Sequence, residues 1–162
     1  MDAKAPDESE SLLAHWMGPA DANGDGNIHG GTIMKLVDEV AGVAALKHCR
    51  RRVATASMDR MDFRVPLFIG DLVTLRATVN AAWHTSMEIG VHVDAENPLT
   101  GESRHSNTAY LTFVALDDAG RPAPVPPVRP VGLEQERRMA DAQRRRRHRL
   151  AERQAAEAAA GD

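Results

Sequence analysis

Cysteine is nearly absent from this chain of 162 residues, with Cys49 the only one. A single thiol closes no internal disulfide and supplies no metal-ligand cluster, so no metal is expected. Long apolar runs are missing too. None reaches the roughly 18 residues that a membrane span requires, and the first residues lack a basic stretch followed by an apolar one. The expectation is a cytoplasmic chain that does not engage a membrane. An excess of positive charge is also lacking. The formal net charge is −3, and residues 1–131 carry 12 Lys and Arg against 17 Asp and Glu. A mildly acidic body is not the footprint of a nucleic-acid-binding domain.

What is present is an ordinary balance, 43% hydrophobic and 27% charged residues, in a length that suits one domain with a real core. Residues 1–10 are acidic and poor in apolar groups and read as disordered. Residues 11–131 form the body. A short strand over residues 12–17 stops at Gly18-Pro19, and a loop rich in Gly, Asp and Asn follows. A helix is expected from Gly31 to His48, with Lys47 and His48 suiting its C-terminal dipole. Strands are expected over Val53–Phe63, Leu72–Ala82, Ser86–Ala95 and Ser106–Leu116, separated by short turns. One helix followed by a run of hairpin-connected strands argues an α+β fold with an antiparallel sheet. A sheet wrapped round a central apolar helix is the hot-dog architecture. Four prolines between Ala123 and Pro130 predict a stiff connector to a charged helical tail, residues 132–162. That tail has few large apolar residues, chiefly Leu133, Met139 and Leu150, and reads as a solvated helix.

The most informative stretch is Asn27 to Gly42, NIHGGTIMKLVDEVAG. Its helical part is apolar nearly all round, which predicts burial, and Asp38 sits inside it. A buried carboxylate costs several kcal/mol unless paired, so Asp38 is either a structural hydrogen-bond acceptor or a functional base. At the other end, Gly30 and Gly31 permit a tight turn into the helix and also let a substrate approach free N–H groups. A base and an oxyanion-binding helix terminus are the equipment of acyl chemistry. Gly31 and Asp38 are separated by about 10 Å along the axis, too far to share one carbonyl. Two antiparallel helices in a dimer could bring Gly31 of one chain near Asp38 of the other. Glu39 points about 100° away round the helix and is expected to be exposed.

His29-Gly30-Gly31, MKLVDEVAG, Thr55-Ala56-Ser57, Thr85-Ser86-Met87-Glu88-Ile89 and Phe113-Val114-Ala115-Leu116 with Gly120-Arg121-Pro122 resemble the hot-dog acyl-CoA thioesterases. The similarity is to the group holding the tandem cytosolic (brain-type) acyl-CoA hydrolases, in the same order over residues 15–131. It implies hydrolysis of fatty acyl-CoA to free acid and CoA, without a cofactor. It also implies that an Asn and an Asp from paired repeats share each site, and these map onto Asn27 and Asp38. A homo-oligomer is expected, with the dimer as its minimal unit and a trimer of dimers (a hexamer) as the larger form. Asn27, Gly31 and Asp38 are the candidate catalytic residues. His29, Gly30, Thr85, Ser86 and Arg104 are candidate substrate contacts, the last three toward the CoA nucleotide. The alternative is a non-catalytic acyl-CoA sensor whose basic tail contacts a partner. A hot-dog dehydratase would need a His and an acid paired on the helix, and His29 precedes the glycines.

Two tempting motifs carry less. Asp21 to Gly26 mimics the first half of a calcium loop, but its twelfth position is Thr32 where a bidentate Glu is required. Arg144 to Arg149 spread round every face of a helix, so they make no nucleic-acid stripe.

Overall fold

A computed structural model describes residues 1–160. Strand β1 (Ser11–Trp16) leads through a loop to helix α1 (Gly30–Cys49), then β2 (Arg52–Met58), β3 (Leu72–Ala82), β4 (Ser86–Glu96), β5 (Ser103–Leu116) and helix α2 (Leu133–Ala160). The five strands form one antiparallel sheet in the order β1-β3-β4-β5-β2. This is the α+β hot-dog arrangement expected from the alternating strands.

Helix α1 lies across one face of the sheet because Ile33, Leu36, Val37, Val40, Ala41, Ala44 and Ala45 recur at helical spacing and are all buried. Val73, Leu75, Ile89, Val91, Leu111 and Phe113 rise from the sheet to complete that core. At its far end Arg50 adopts φ +53 and returns its N–H to the Leu46 carbonyl, which stops the helix. The opposite side of α1 stays open: Met34, Val43 and Leu46 are each more than 40% exposed. The helix is therefore covered on one side only, and Asp38, expected to be buried, lies half-buried at the margin of that open side.

Three expectations need correction. Strand β2 ends at Met58 rather than Phe63, because Asp59–Asp62 turns away to pair locally through Arg60–Asp62. Residues 1–10 are not disordered. Lys4 bridges Val128, its ammonium donates to the His48 carbonyl at 2.6 Å, and Ser9 is fully buried. The tail is not a solvated appendage either. The proline segment does not stand off the sheet: Ala123 N–H donates to Ala115 C=O and Val125 N–H to His84 C=O. It delivers α2 onto the outer face.

There Glu88 of β4 has no exposed surface, and two arginines one helical turn apart close on it. Arg145 donates to it at 2.6 Å and Arg149 at 2.9 Å, while Arg149 also reaches Asp59 at 2.7 Å. Burial pulls the Arg145 pKa down, but the hydrogen bonds and charge of Glu88 more than offset this and leave it raised. Tyr110 lies beneath that guanidinium, 3.6 Å from ring centroid to Cζ. Asn80 adds a donor to Glu88 at 3.2 Å and lies across Gly90, where a Cβ would come within 2.6 Å of its amide. A buried carboxylate stripped of its cations is strongly destabilising, so Arg145→Met with Arg149→Met should cost about 3–5 kcal/mol in chemical denaturation. Arg144→Met, on the exposed side of the same helix, should cost about 1 kcal/mol or less.

His48 ties the N-terminal segment to the proline segment. Its Nε2 lies 2.9 Å from the Pro126 carbonyl, which can only accept, so Nε2 carries the hydrogen and Nδ1 is left as an acceptor 3.4 Å from Ser9 Oγ, whose hydrogen it shares with the Pro6 carbonyl. Burial lowers its pKa below the ordinary 6.5, with Lys4 adding to the effect against the Pro126 bond. The unfolded chain therefore takes up this proton first. The stability His48 supplies is complete above pH 6.5 and is lost as pH falls from there through the depressed folded value. His48→Gln should flatten that part of the stability–pH curve, measured by denaturant midpoints at stepped pH.

Candidate active site

The loop before α1 is held by short side-chain contacts that its Asn, Asp and Gly composition makes possible. Asn23 Oδ1 accepts the N–H groups of Asp25 at 3.0 Å and Asn27 at 3.1 Å, while its own N–H donates to Asn27 C=O at 2.7 Å. Asp21 accepts from Gly18 N–H and from His15, contacts that together hold its carboxyl below the usual range. Asn27 forms an antiparallel bridge to Phe68, and Ile28 N–H donates to Leu67 C=O. Arg104 anchors the far side of that second loop, binding Asp71 at 2.5 Å and the Pro66 carbonyl at 3.2 Å. Its guanidinium is thus committed to structure.

His29 is exposed at the helix N-cap and makes no side-chain cap bond. Thr32 and Ile33 donate to its carbonyl, so the N–H groups of Gly30 and Gly31 stand ahead of the first helical hydrogen bonds. The two glycines differ. A Cβ on Gly30 would touch the Phe63 ring at 3.4 Å, whereas Gly31 faces open space. A substrate can therefore approach Gly31.

Asp38 is reached by a residue to which sequence reasoning gave no role. Thr55, on β2, donates its hydroxyl to Asp38 Oδ1 at 2.7 Å. Thr55 belongs to the quoted Thr-Ala-Ser run, but nothing in its spacing from the helix showed that the chain reversal at Arg50 would lay it beside the carboxylate. Strand β2 is the edge of the sheet, so the Thr55–Asp38 pair lies between an open helix face and an unpaired strand edge. Within one chain, Asp38 and Gly31 remain about two helical turns apart. Thr85 and Ser86 lie apart from this group. Thr85 C=O accepts from Ala115 N–H, and Ser86 lines a cavity under α2 on the other face of the sheet.

One metal-like group was missed, because it forms only when β4 and β5 pair. His92 Nε2 and His105 Nδ1 both lie 3.1 Å from Asp94 Oδ1, and the three ligand atoms fall within 4.8 Å of one another. The two rings stack with centroids 4.0 Å apart and 21° between planes, both against the same carboxylate oxygen. His105 is hydrogen-bonded to Asp94, and His92 lies at ion-pair distance from the same oxygen. Among the described residues, no helix is long and apolar enough to cross a membrane.

Residues 25–102 match the family described as Thioesterase superfamily. An uncharacterized acyl-CoA thioester hydrolase of Bacillus subtilis is 42% identical over 76% of this chain and 72% of its own length. The rat cytosolic acyl coenzyme A thioester hydrolase is 38% identical over 80% of the chain, which spans 35% of that longer relative. Among solved structures, an apo-hexameric acyl-CoA thioesterase superposes with a TM-score of 0.90 at 35% identity, covering 94% of this chain and 97% of the other. A Staphylococcus aureus acyl-CoA hydrolase, solved with butyryl coenzyme A and coenzyme A, superposes with a TM-score of 0.85 at 34% identity, covering 98% and 99%.

Proposed function

Because this chain belongs to the thioesterase superfamily, we propose that it hydrolyses acyl-CoA thioesters, fatty acyl-CoA among them, to free acid and CoA. The observation that carries this reading is the 2.7 Å hydrogen bond from Thr55 to Asp38, on a helix whose N-terminus is open at Gly31. Thr55 holds one carboxylate oxygen and leaves the other to take a proton from water. The water oxygen then attacks the thioester carbonyl, whose developing negative charge the Gly31 N–H and the helix dipole stabilise. Collapse of the intermediate breaks the C–S bond. CoA leaves as a thiolate, a good enough leaving group to need no strong dedicated acid.

The Staphylococcus aureus hydrolase has alanine variants at an aspartate and a threonine lying 17 positions apart, the separation of Asp38 and Thr55 here. Its third variant replaces an asparagine 15 positions before that aspartate. Asn23, not Asn27, precedes Asp38 by 15. This favours Asn23 as the residue that orients the reactants, with Asn27, the expectation from resemblance, as its rival. The two are four residues apart and hydrogen-bonded, so the assignment is open to a direct comparison.

The open side of α1 supports the rest of the reading. Met34, Val43 and Leu46 offer an apolar wall for an acyl chain, and the free β2 edge offers backbone groups for a second copy. A homodimer across these surfaces cures the separation of Gly31 from Asp38, since each site would take its helix terminus from one chain and its base from the other. A trimer of such dimers is the larger assembly we propose, supported by the hexameric relative. A cytoplasmic location is supported by relatives named cytosolic.

Thiol release from acyl-CoAs of increasing chain length tests the activity. Asp38→Asn should lose about a hundredfold or more in kcat, and Glu39→Gln far less. Asn23→Ala should be the damaging asparagine variant; equal activity of Asn23→Ala and wild type, with Asn27→Ala inactive, would return the role to Asn27. The shared site is tested by unfolding Asn23→Ala and Asp38→Asn together and reassembling them as an equal mixture. If each is inactive alone, mixed dimers regain one intact site and about a quarter of wild-type activity should return. A mixture as inactive as its parents would mean that one chain holds both residues of a site.

A further inference from the structure

The alternation that turns Ile89, Val91 and Val93 of β4 toward α1 sends His92 and Asp94 to the outer face of the sheet. A regular ladder would set Ser106 of β5 opposite Asp94. Instead the register slips between Val93 and Asp94, so that Val93 pairs with Asn107 and Asp94 with His105. The extra residue is Ser106, and this bulge brings the His105 side chain onto the same face as Asp94. His92 pairs with Thr108 further along the ladder.

Two imidazoles and a carboxylate thus meet at one place. His105 Nδ1 and His92 Nε2 each lie 3.1 Å from Asp94 Oδ1. With no two of the three atoms more than 4.8 Å apart, a point equidistant from all lies no more than about 2.4 Å from each, against zinc bonds of about 2.0–2.2 Å. Closing on an ion therefore asks for shifts of only a few tenths of an ångström. The ligands are also open to solvent, the His92, Asp94 and His105 side chains being 52%, 44% and 46% exposed. An ion can reach them, His92 can turn its ring to meet it, and water can complete the coordination.

An outer partner is in place as well. Thr108 Oγ1 lies 3.1 Å from His105 Nε2 and can accept its hydrogen, which leaves Nδ1 free to bind a metal. Cations on the neighbouring elements are already neutralised. Arg76 of β3, the cross-strand partner of His92, is held by Glu10 at 2.6 Å, and Arg137 of α2 by Glu134 at 2.8 Å.

We propose that His92, Asp94 and His105 bind one transition-metal dication of the zinc type, with a further position left to water. Two nitrogen ligands select against magnesium and calcium, which take oxygen, and imidazole with carboxylate suits zinc, cobalt or nickel. The ion ties β4 to β5 across the bulge. It does so on the face of the sheet opposite α1, so the site stands whether or not the chain hydrolyses thioesters.

Isothermal calorimetry of the chelator-treated protein with zinc alone tests the site. Saturation at one equivalent per chain is expected, and Co²⁺ in its place should give the visible d–d bands of a bound, partly dehydrated ion. Zinc should also raise the thermal midpoint, because the unfolded chain does not hold the three ligands together. His92→Ala, Asp94→Ala and His105→Ala should each weaken binding by more than about tenfold and abolish the thermal shift; Thr108→Val should weaken it about tenfold, the scale of a lost outer partner. His148→Ala is the control. His148 lies 3.4 Å from Glu152 on α2 and offers a rival pair of ligands, so this variant should bind zinc as the wild type does. Circular dichroism without metal verifies that each variant keeps the fold. Three results overturn the inference: no saturable binding, binding that folded His92→Ala and His105→Ala retain at full strength, or binding lost in His148→Ala instead.

Discussion

The packing of α1 on the sheet is the constraint from which the rest of the structure follows. Val37, Ala41, Ala44 and Ala45 have no exposed surface, and the three alanines let the helix backbone approach the strands closely. Once that face is fixed, the helical repeat dictates where every other residue points. Asp38 follows Val37 by one residue, so it is turned about 100° from the core, to the margin where β2 can reach it. Gly30 and Gly31 fall at the terminus that the same packing leaves in solvent. The geometry of the proposed site is thus a by-product of core packing: among the described residues, the Thr55 hydroxyl is the side-chain donor that orients the carboxylate.

The outer face of the sheet obeys a different rule. An antiparallel sheet can leave one face to water, and the alternation in β4 would allow it. Here that face carries Glu88, and α2 covers it with charge instead of apolar bulk. Such a contact contributes less to net stability than a hydrophobic one of the same size, because both partners must be desolvated. It fixes register more sharply, since only a pair of arginines one turn apart can close on both carboxylate oxygens. Holding α2 there leaves Arg146, which follows Arg145 in sequence, turned toward Trp83.

Much of the fold was legible in the sequence, and the reasons differ by element. The helix showed its period of 3.6 directly and the last three strands their β-rich runs between turn residues, while β2 alternated imperfectly and its end was misplaced. The Arg145–Glu88 contact was not legible, because a charged helix looks the same whether its arginines face water or a buried acid, and Glu88 is 57 positions away in the chain. The ordering of residues 1–10 escaped for a similar reason: their few contacts are backbone bonds and a lysine reaching the end of α1, not an apolar pattern. Of the candidate site, Asp38 and the glycines could be singled out because an acid in an apolar helix and a glycine pair at its start are anomalies. Thr55 could not, since a threonine in a strand is no anomaly. Asn23 and Asn27 lie four residues apart in a loop with several polar residues, where resemblance alone does not count positions.

The bridge between Lys4 and Val128 has a consequence for how the molecule assembles. It joins segments separated by nearly the whole body of the chain, and its partner segment is itself positioned by hydrogen bonds to Ala115, His84 and His48 and by burial of Val125 in the core. Contacts of such long range are costly in chain entropy until intervening elements have folded. Residues 4–9 are therefore among the last to dock. Until the proline segment has settled against β5, residues 4–9 lack the bridge from Lys4 to Val128 and hold only their contacts to His48 and β3. The N-terminal strap is a closing step in folding, not a nucleus for it.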